Sequence, residues 1–222
     1  MILVDNLKRV REAVAACGRD ITLVGACKTQ SKETVDEFMS VAPDFVLGEN
    51  RVQELTAKYD ARYEWHFIGR LQTNKVKYII DKVSLIHSLD RYELADEIEK
   101  QAAKHGKIQP CLIEVNMGGE VSKGGIAPED VEDFIKGLSE YRHIKINGLM
   151  SVMPNLEDKD ELHSLYARLY GLFESVKTIE QDNMDIKYLS AGMSGDYEIA
   201  LEHGSNMLRL GRIIFGERTY LQ

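Results

Sequence analysis

"ITLVGACKTQ", residues 21–30, carries the choice between two kinds of parallel sheet. Ile21 to Gly25 form a short, mostly apolar run of the kind that makes a buried strand, and Ala26 and Cys27 lead from it into a charge, Lys28. In an open doubly wound sheet, the turn after the first strand is rich in glycine, so that the backbone can approach a phosphate. Here the turn reads Ala-Cys-Lys-Thr-Gln without G-x-G-x-x-G, and the chain has no G-x-x-x-x-G-K-[ST]. A strand ending on lysine suits a closed barrel, whose sites are assembled at the C-terminal strand ends.

The rest of the chain extends the pattern. β-like runs recur at 44–47, 64–68, 83–86, 111–115, 144–149, 187–190 and 207–210, which with 21–26 makes eight. Helical periodicities such as "SKETVDEFMSVA", "RYELADEIEKQAAKHG" and "EDKDELHSLYARLYGLFESVKTIE" fill most gaps, several opened by a Ser, Asp or Thr cap and an acidic first turn. Each strand is followed by a helix or a helix-like segment, "TNKVKYII" among them. The order predicts an α/β chain closed into a single (β/α)8 TIM barrel. No linker, repeat or low-complexity tract interrupts it, so residues 1–222 read as one domain.

Bulk properties narrow the classes. A chain of 222 residues can bury one sizeable core. Its 44% hydrophobic and 29% charged residues fit a soluble globular protein. A net charge of −8 with no long basic run argues against nucleic acid or anionic lipid as partners. Cys17, Cys27 and Cys111 form no C-x-x-C or Cys/His cluster, which points to free thiols in a reducing compartment and to no metal. The N-terminal "MILVDNLKRVREAVAA" is amphipathic, Asp5 and Glu12 interrupt it, and no apolar stretch is long enough to span a bilayer. The expectation is a cytoplasmic protein, and the lack of a long exposed apolar stripe suggests a monomer.

The barrel reading puts Lys28 at the mouth, where a water-shedding rim can free an amine to attack a carbonyl; a solvated loop lysine is the plainer alternative. The last two strands sharpen the choice. In "LSAGMSGDYEIALEHGSNMLRLGRIIFG", Gly192, Ser194 and Gly195 follow the seventh strand, and Gly211 and Gly216 flank the exit of the eighth. Loops after strands seven and eight are the usual phosphate cup of a barrel, although glycines also serve plain tight turns. Arg209 stands among Met207, Leu208 and Leu210 and needs acceptors, through either a structural salt bridge or an electron-rich ring nitrogen. An amine, a phosphate cup and a donor to a heteroaromatic nitrogen are what pyridoxal phosphate (PLP) requires.

The stretches "VGACKTQ", "LGENRVQE", "WHFIGRLQTNK", "IHSLDR", "IEVNMGGEVSKGG", "GLMSVMP", "LSAGMSGDYEIAL" and "GSNMLRLGRIIFG" cover the chain nearly end to end. On them the sequence closely resembles the pyridoxal phosphate homeostasis proteins, related to the barrel domain of alanine racemase. The resemblance implies an alanine racemase N-terminal domain-type barrel holding PLP as a Schiff base on Lys28. It implies phosphate contacts from Met193 and Ser194 and from the exit residues Gly211 and Arg212, the last through its backbone N–H. It places Arg209 at the pyridine nitrogen and Asn50 near the cofactor. Where the family commonly reads VSK, this chain has Ala26-Cys27-Lys28, and Ala191 replaces a common methionine; both read as packing. Asn206 replaces a common threonine, a change that could remove a phosphate contact.

His66 and His87 read as hydrogen-bonded structural histidines, His87 at the end of strand four. Lys123 reads as a loop lysine with a transient PLP contact as the sharper hypothesis, and Arg70, Lys75 and Lys77 as a solvated helix face. Racemisation needs a second base opposite the lysine and, in alanine racemase, a β-rich C-terminal domain; the sequence ends at Gln222 without one. The expected role is therefore a PLP carrier and buffer that could serve PLP-dependent apo-enzymes. The alternative is an amino-acid racemase.

Overall fold

The computed structural model describes residues 2–120 and 124–216. Its strands are β1 (Thr22–Ala26), β2 (Val46–Glu49), β3 (Trp65–Phe67), β4 (Leu85–Leu89), β5 (Gln109–Glu114), β6 (Ile144–Met150), β7 (Met184–Ser190) and β8 (Met207–Leu210). They pair in parallel, in sequence order, and β8 returns to β1 to close the barrel. The helices are α1 (Ile2–Ala16), α2 (Lys32–Val41), α3 (Val52–Lys58), α4 (Tyr92–Lys104), α5 (Val131–Gly137), α6 (Lys159–Val176), α7 (Tyr197–Glu202) and α8 (Arg212–Phe215). The (β/α)8 expectation holds.

Alternation along the strands builds two apolar layers. Residues such as Leu23, Leu47, Trp65, Ile86 and Leu208 point outward into the large core beneath the helices. Val24, Leu85, Leu112, Met150 and Met207 point inward and form a smaller cluster inside the barrel. Ser31 caps α2 by accepting from the Thr34 N–H, and Asp158 caps α6 by accepting from Asp160 and Glu161, as the cap patterns predict. Arginines, Arg51 and Arg91, stand before α3 and α4, without a side-chain cap bond. Gly148 marks a register shift between β6 and β7 at φ +147°, where a Cβ would lie 1.8 Å from the Tyr188 carbonyl oxygen.

Several boundaries differ from the sequence reading: β2 is shifted by two residues and β5 begins two residues early, and three further differences change the reading. β4 runs Leu85–Leu89, not 83–86, so His87 sits within the strand and not at its end. β7 begins at Met184, three residues early, because exposed Asp185 and Lys187 alternate with partly buried neighbours on a half-covered strand. "TNKVKYII" forms a 3₁₀ helix over Thr73–Tyr78 in place of an α-helix, with Val76 buried and Lys75 and Lys77 in its last turn. The β7–β8 seam carries a single register pair, Ser190 with Met207. Side chains add to it: Ser205 Oγ donates to the Leu189 and Ala191 carbonyls, and Asn206 accepts from Leu189 N–H and donates to the Lys187 carbonyl. That assigns Asn206 to the seam, at the N-terminal end of β8 and away from the mouth.

Candidate functional site

A cavity of about 750 Å³ opens at the C-terminal ends of the strands, within the size range of small-molecule sites. Lys28 enters it after β1, Asn50 after β2, Met193 and Ser194 after β7, Arg209 from β8, and Gly211 and Arg212 from the exit of β8. All seven residues singled out in the sequence thus line one cavity. Lys123 lies outside the described residues.

The β7 and β8 exits are folded against each other. Gly192 adopts φ +98°, a conformation other residues rarely take, and its carbonyl accepts the Arg209 N–H at 3.0 Å. Asp196 closes the following turn by accepting from Met193 N–H at 2.6 Å. The Gly211 and Ile213 N–H groups converge on Ser194 Oγ at 3.3 and 3.0 Å. Ser194 is therefore an acceptor toward the backbone, which leaves its own proton to be given to another group. A Cβ on Gly211 would come within 3.3 Å of the Ala26 carbonyl, so glycine there keeps the two strand ends close.

Arg209 points into the barrel and is 5% exposed. Its Nη1 donates to the Ser190 carbonyl and Oγ, both at 2.7 Å, and Nη2 donates to the Ser151 carbonyl at 2.8 Å. Among the described residues no carboxylate lies within ion-pair distance, so the salt-bridge alternative does not hold. Below it a hydrogen-bonded chain runs through the barrel. His66 Nε2 lies 3.5 Å from Glu64 Oε1, His66 Nδ1 3.0 Å from His87 Nε2, and His87 Nδ1 3.1 Å from Ser190 Oγ. Burial lowers the pKa of both imidazoles, the more so for His87, and keeps them neutral. A carboxylate only accepts, which fixes every proton: His66 donates to Glu64, His87 to His66, and Ser190 to His87. The His66 bond holds the Glu64 carboxyl down at about 2. Both histidines are the satisfied core groups expected of them.

Lys28 sits in a tight turn, Cys27 to Gln30, closed by the Gln30 N–H donating to the Cys27 carbonyl at 3.1 Å. Thr29, its third residue, has φ +65°. This is the glycine position of a type II turn, and a β-branched residue there stores about 1–2 kcal/mol of strain. Three groups the sequence reading missed hold the turn. Lys58 Nζ donates to the Cys27 and Gln30 carbonyls at 2.7 and 3.0 Å and pairs with Glu49 Oε1 at 2.5 Å. Glu54 Oε2 accepts the Thr29 N–H at 2.8 Å. The one signal in the sequence was phase: Lys58 follows Val52 and Leu55 on the buried face of α3. Cys27 is buried, and burial pushes its thiol far up, so it is an inert neighbour of Lys28.

The lining can be tested against a phosphorylated pyridine aldehyde. It offers an amine, N–H groups converging on one hydroxyl, and a buried donor-only guanidinium. Asn50 also presents a buried Oδ1 with no hydrogen-bond partner, a group that a donor on a ligand would satisfy. These residues fit such a group.

Comparison with known proteins agrees. Residues 4–219 match the family model of the alanine racemase N-terminal domain. The chain is 44% identical to the pyridoxal phosphate homeostasis protein of Aquifex aeolicus, over 96% of each chain. It is 25% identical to PipY of Synechococcus elongatus, solved with PLP bound, with a TM-score of 0.85 over 97% of this chain and all of that one. Alanine racemase of Clostridium difficile, at 16% identity and a TM-score of 0.73, shares the fold over 98% of this chain and 58% of its own. By sequence, fold and the residues gathered at its mouth, the chain belongs to the pyridoxal phosphate homeostasis proteins, within the alanine racemase N-terminal domain family.

Proposed function

We propose that the chain binds pyridoxal 5′-phosphate at the barrel mouth, anchors it on Lys28, and carries and buffers it for PLP-dependent apo-enzymes in vitamin B6 homeostasis. The observation that carries this reading is convergence: Lys28, Asn50, Ser194, Arg209, Gly211 and Arg212 line one cavity. When bound, the cofactor supplies an aldehyde that condenses with an amine, forming a C=N bond and releasing one water without a redox change. Lys28 offers that amine. Ser194, Met193 and the backbone of Gly211 and Arg212 orient the phosphate, and Asn50 accepts from the ring side. Arg209 donates toward the ring nitrogen. A guanidinium keeps its proton, so the ring stays a weak electron sink, which suits holding the cofactor over transforming amino acids. Asp196, the one carboxylate among the described residues that line the cavity, is engaged by the Met193 N–H and the Tyr166 hydroxyl. The likeness to PipY, solved with PLP bound, supports PLP as the ligand.

The test is the absorption spectrum with added PLP, followed by borohydride reduction and peptide mapping. A band near roughly 420 nm that reduction fixes to Lys28, and that Lys28→Ala lacks, supports the anchor. Transfer of PLP to an apo-enzyme without turnover of alanine or serine supports the carrier. Steady racemisation would make the chain an enzyme instead, and a label on another lysine would overturn the anchor.

A further inference from the structure

The turn that carries Lys28 is strained, and its restraint comes from elsewhere in the fold. Thr29 is the only described residue other than glycine with positive φ. Left to itself, a threonine relaxes to negative φ, which would rotate the peptide units on either side and swing Lys28 away from its present direction. The groups that oppose this lie on one face of α3, at Glu54 and Lys58, one helical turn apart. Glu54 takes the amide of the strained residue itself. Lys58 ties together the carbonyls at both ends of the turn, and is 5% exposed, so water cannot take its place. Its charge is answered by Glu49, whose second oxygen accepts the Asn50 N–H at 2.8 Å. One buried pair therefore anchors the loops after β1 and β2, each of which sends a residue, Lys28 or Asn50, into the cavity.

We propose that the Lys58–Glu49 pair, with Glu54, positions Lys28: it holds the Cys27–Gln30 turn in its strained form and so keeps the amine aimed into the cavity. The inference rests on the cofactor reading above and adds the device that keeps the amine in place. A misaimed nucleophile loses rate far more than a ligand loses affinity, because near-attack geometry is lost while phosphate and ring contacts remain.

The experiment uses two probes. PLP tests the amine, whereas pyridoxine 5′-phosphate carries the same ring and phosphate with an alcohol in place of the aldehyde and needs no amine. The variant is Lys58→Met with Glu49→Gln, so that no charge is left buried alone. It is expected to bind pyridoxine 5′-phosphate within about twofold of the parent while forming the borohydride-trappable Lys28 adduct at least about tenfold more slowly. Adding Thr29→Gly, which adopts positive φ freely, is expected to restore much of that rate, a rescue that a merely stabilising role would not produce. Adduct formation as fast in the double variant as in the parent overturns the inference. Should that variant fail to fold, Glu54→Ala alone serves, with slowing of about threefold expected and no slowing counting against the proposal. A parent chain that takes up neither probe overturns the cofactor reading and this inference with it; a parent that reacts at Lys28 beside undiminished variants overturns this inference alone.

Discussion

Among the described residues two cations, Lys58 and Arg209, are buried in this barrel, and they are held by opposite means. Lys58 lies outside the sheet, against β2, where fully buried Glu49 meets its charge at 2.5 Å. Arg209 lies inside the sheet and is met by two carbonyls and a hydroxyl. The lysine is spent: its bonds go to the backbone and to its counter-charge. The arginine uses three of its five N–H groups on neutral acceptors, and it brings its charge to the lining of the cavity. A closed ion pair makes structure, whereas a cation on neutral dipoles keeps its field, which under the proposed function faces the ligand.

Stability measurements can break that contrast. Lys58→Met with Glu49 intact should cost about 3–5 kcal/mol in urea unfolding, since a buried carboxylate loses its partner. Most of the loss should return in Lys58→Met/Glu49→Leu, and a single variant as stable as the parent would show that the pair is not closed. Arg209→Met leaves neutral acceptors behind and should cost less, about 1–3 kcal/mol; a larger loss than at Lys58 reverses the comparison.

Glu114 sharpens it further, because its charge acts on Arg209 through space. Burial, then the neighbouring Asp90 charge, raise its carboxyl from 4.5 to about 7, while Arg209 opposes the rise. The unfolded chain therefore releases this proton first. Between pH 4.5 and about 7 Glu114 takes stability away as pH rises, and above that window the loss is constant. Glu114→Gln should remove that slope and raise stability at pH 8 by about 1–2 kcal/mol, read from unfolding curves across pH; an unchanged slope would mean that the carboxyl is ionised without penalty. The smallest effect is expected at Thr29→Gly: relief of positive φ, less the added freedom of the unfolded chain, should leave a gain of about 0.5–1 kcal/mol. A loss there would mean that the turn is not strained.

The barrel was legible because its strands face a continuous apolar shell on one side, and Leu23, Leu47 and Leu208 reveal that face from pattern alone. Polar interior positions blurred it. His87 and Ser88 ended the apparent fourth strand early, although both are fully buried. In the site, Lys28 and the glycines of the last two exits were readable, since strand-end position and turn chemistry are local. Glu54 and Lys58 were not, because their backbone partners lie more than twenty residues away, which no local pattern encodes, and Glu49 was hidden with them because its counter-charge is Lys58. The acceptors of Arg209 come from Ser151, just past β6, and Ser190, at the end of β7, and were hidden for the same reason.

The sparse seam between β7 and β8 gives the interior chain one more meaning. Parallel strands with alternating faces tolerate a slip of two residues, because the apolar pattern repeats. With one backbone register pair at this seam, the ladder alone sets alignment weakly. Arg209 from β8, Ser190 from β7, His87 from β4 and His66 from β3 meet only when all four strands are in step. A slipped strand would strand a charge or an imidazole without its partner in the middle of the barrel. The polar thread is thus a key that the folding chain must match, and it makes the aligned closure cheaper than its apolar look-alikes.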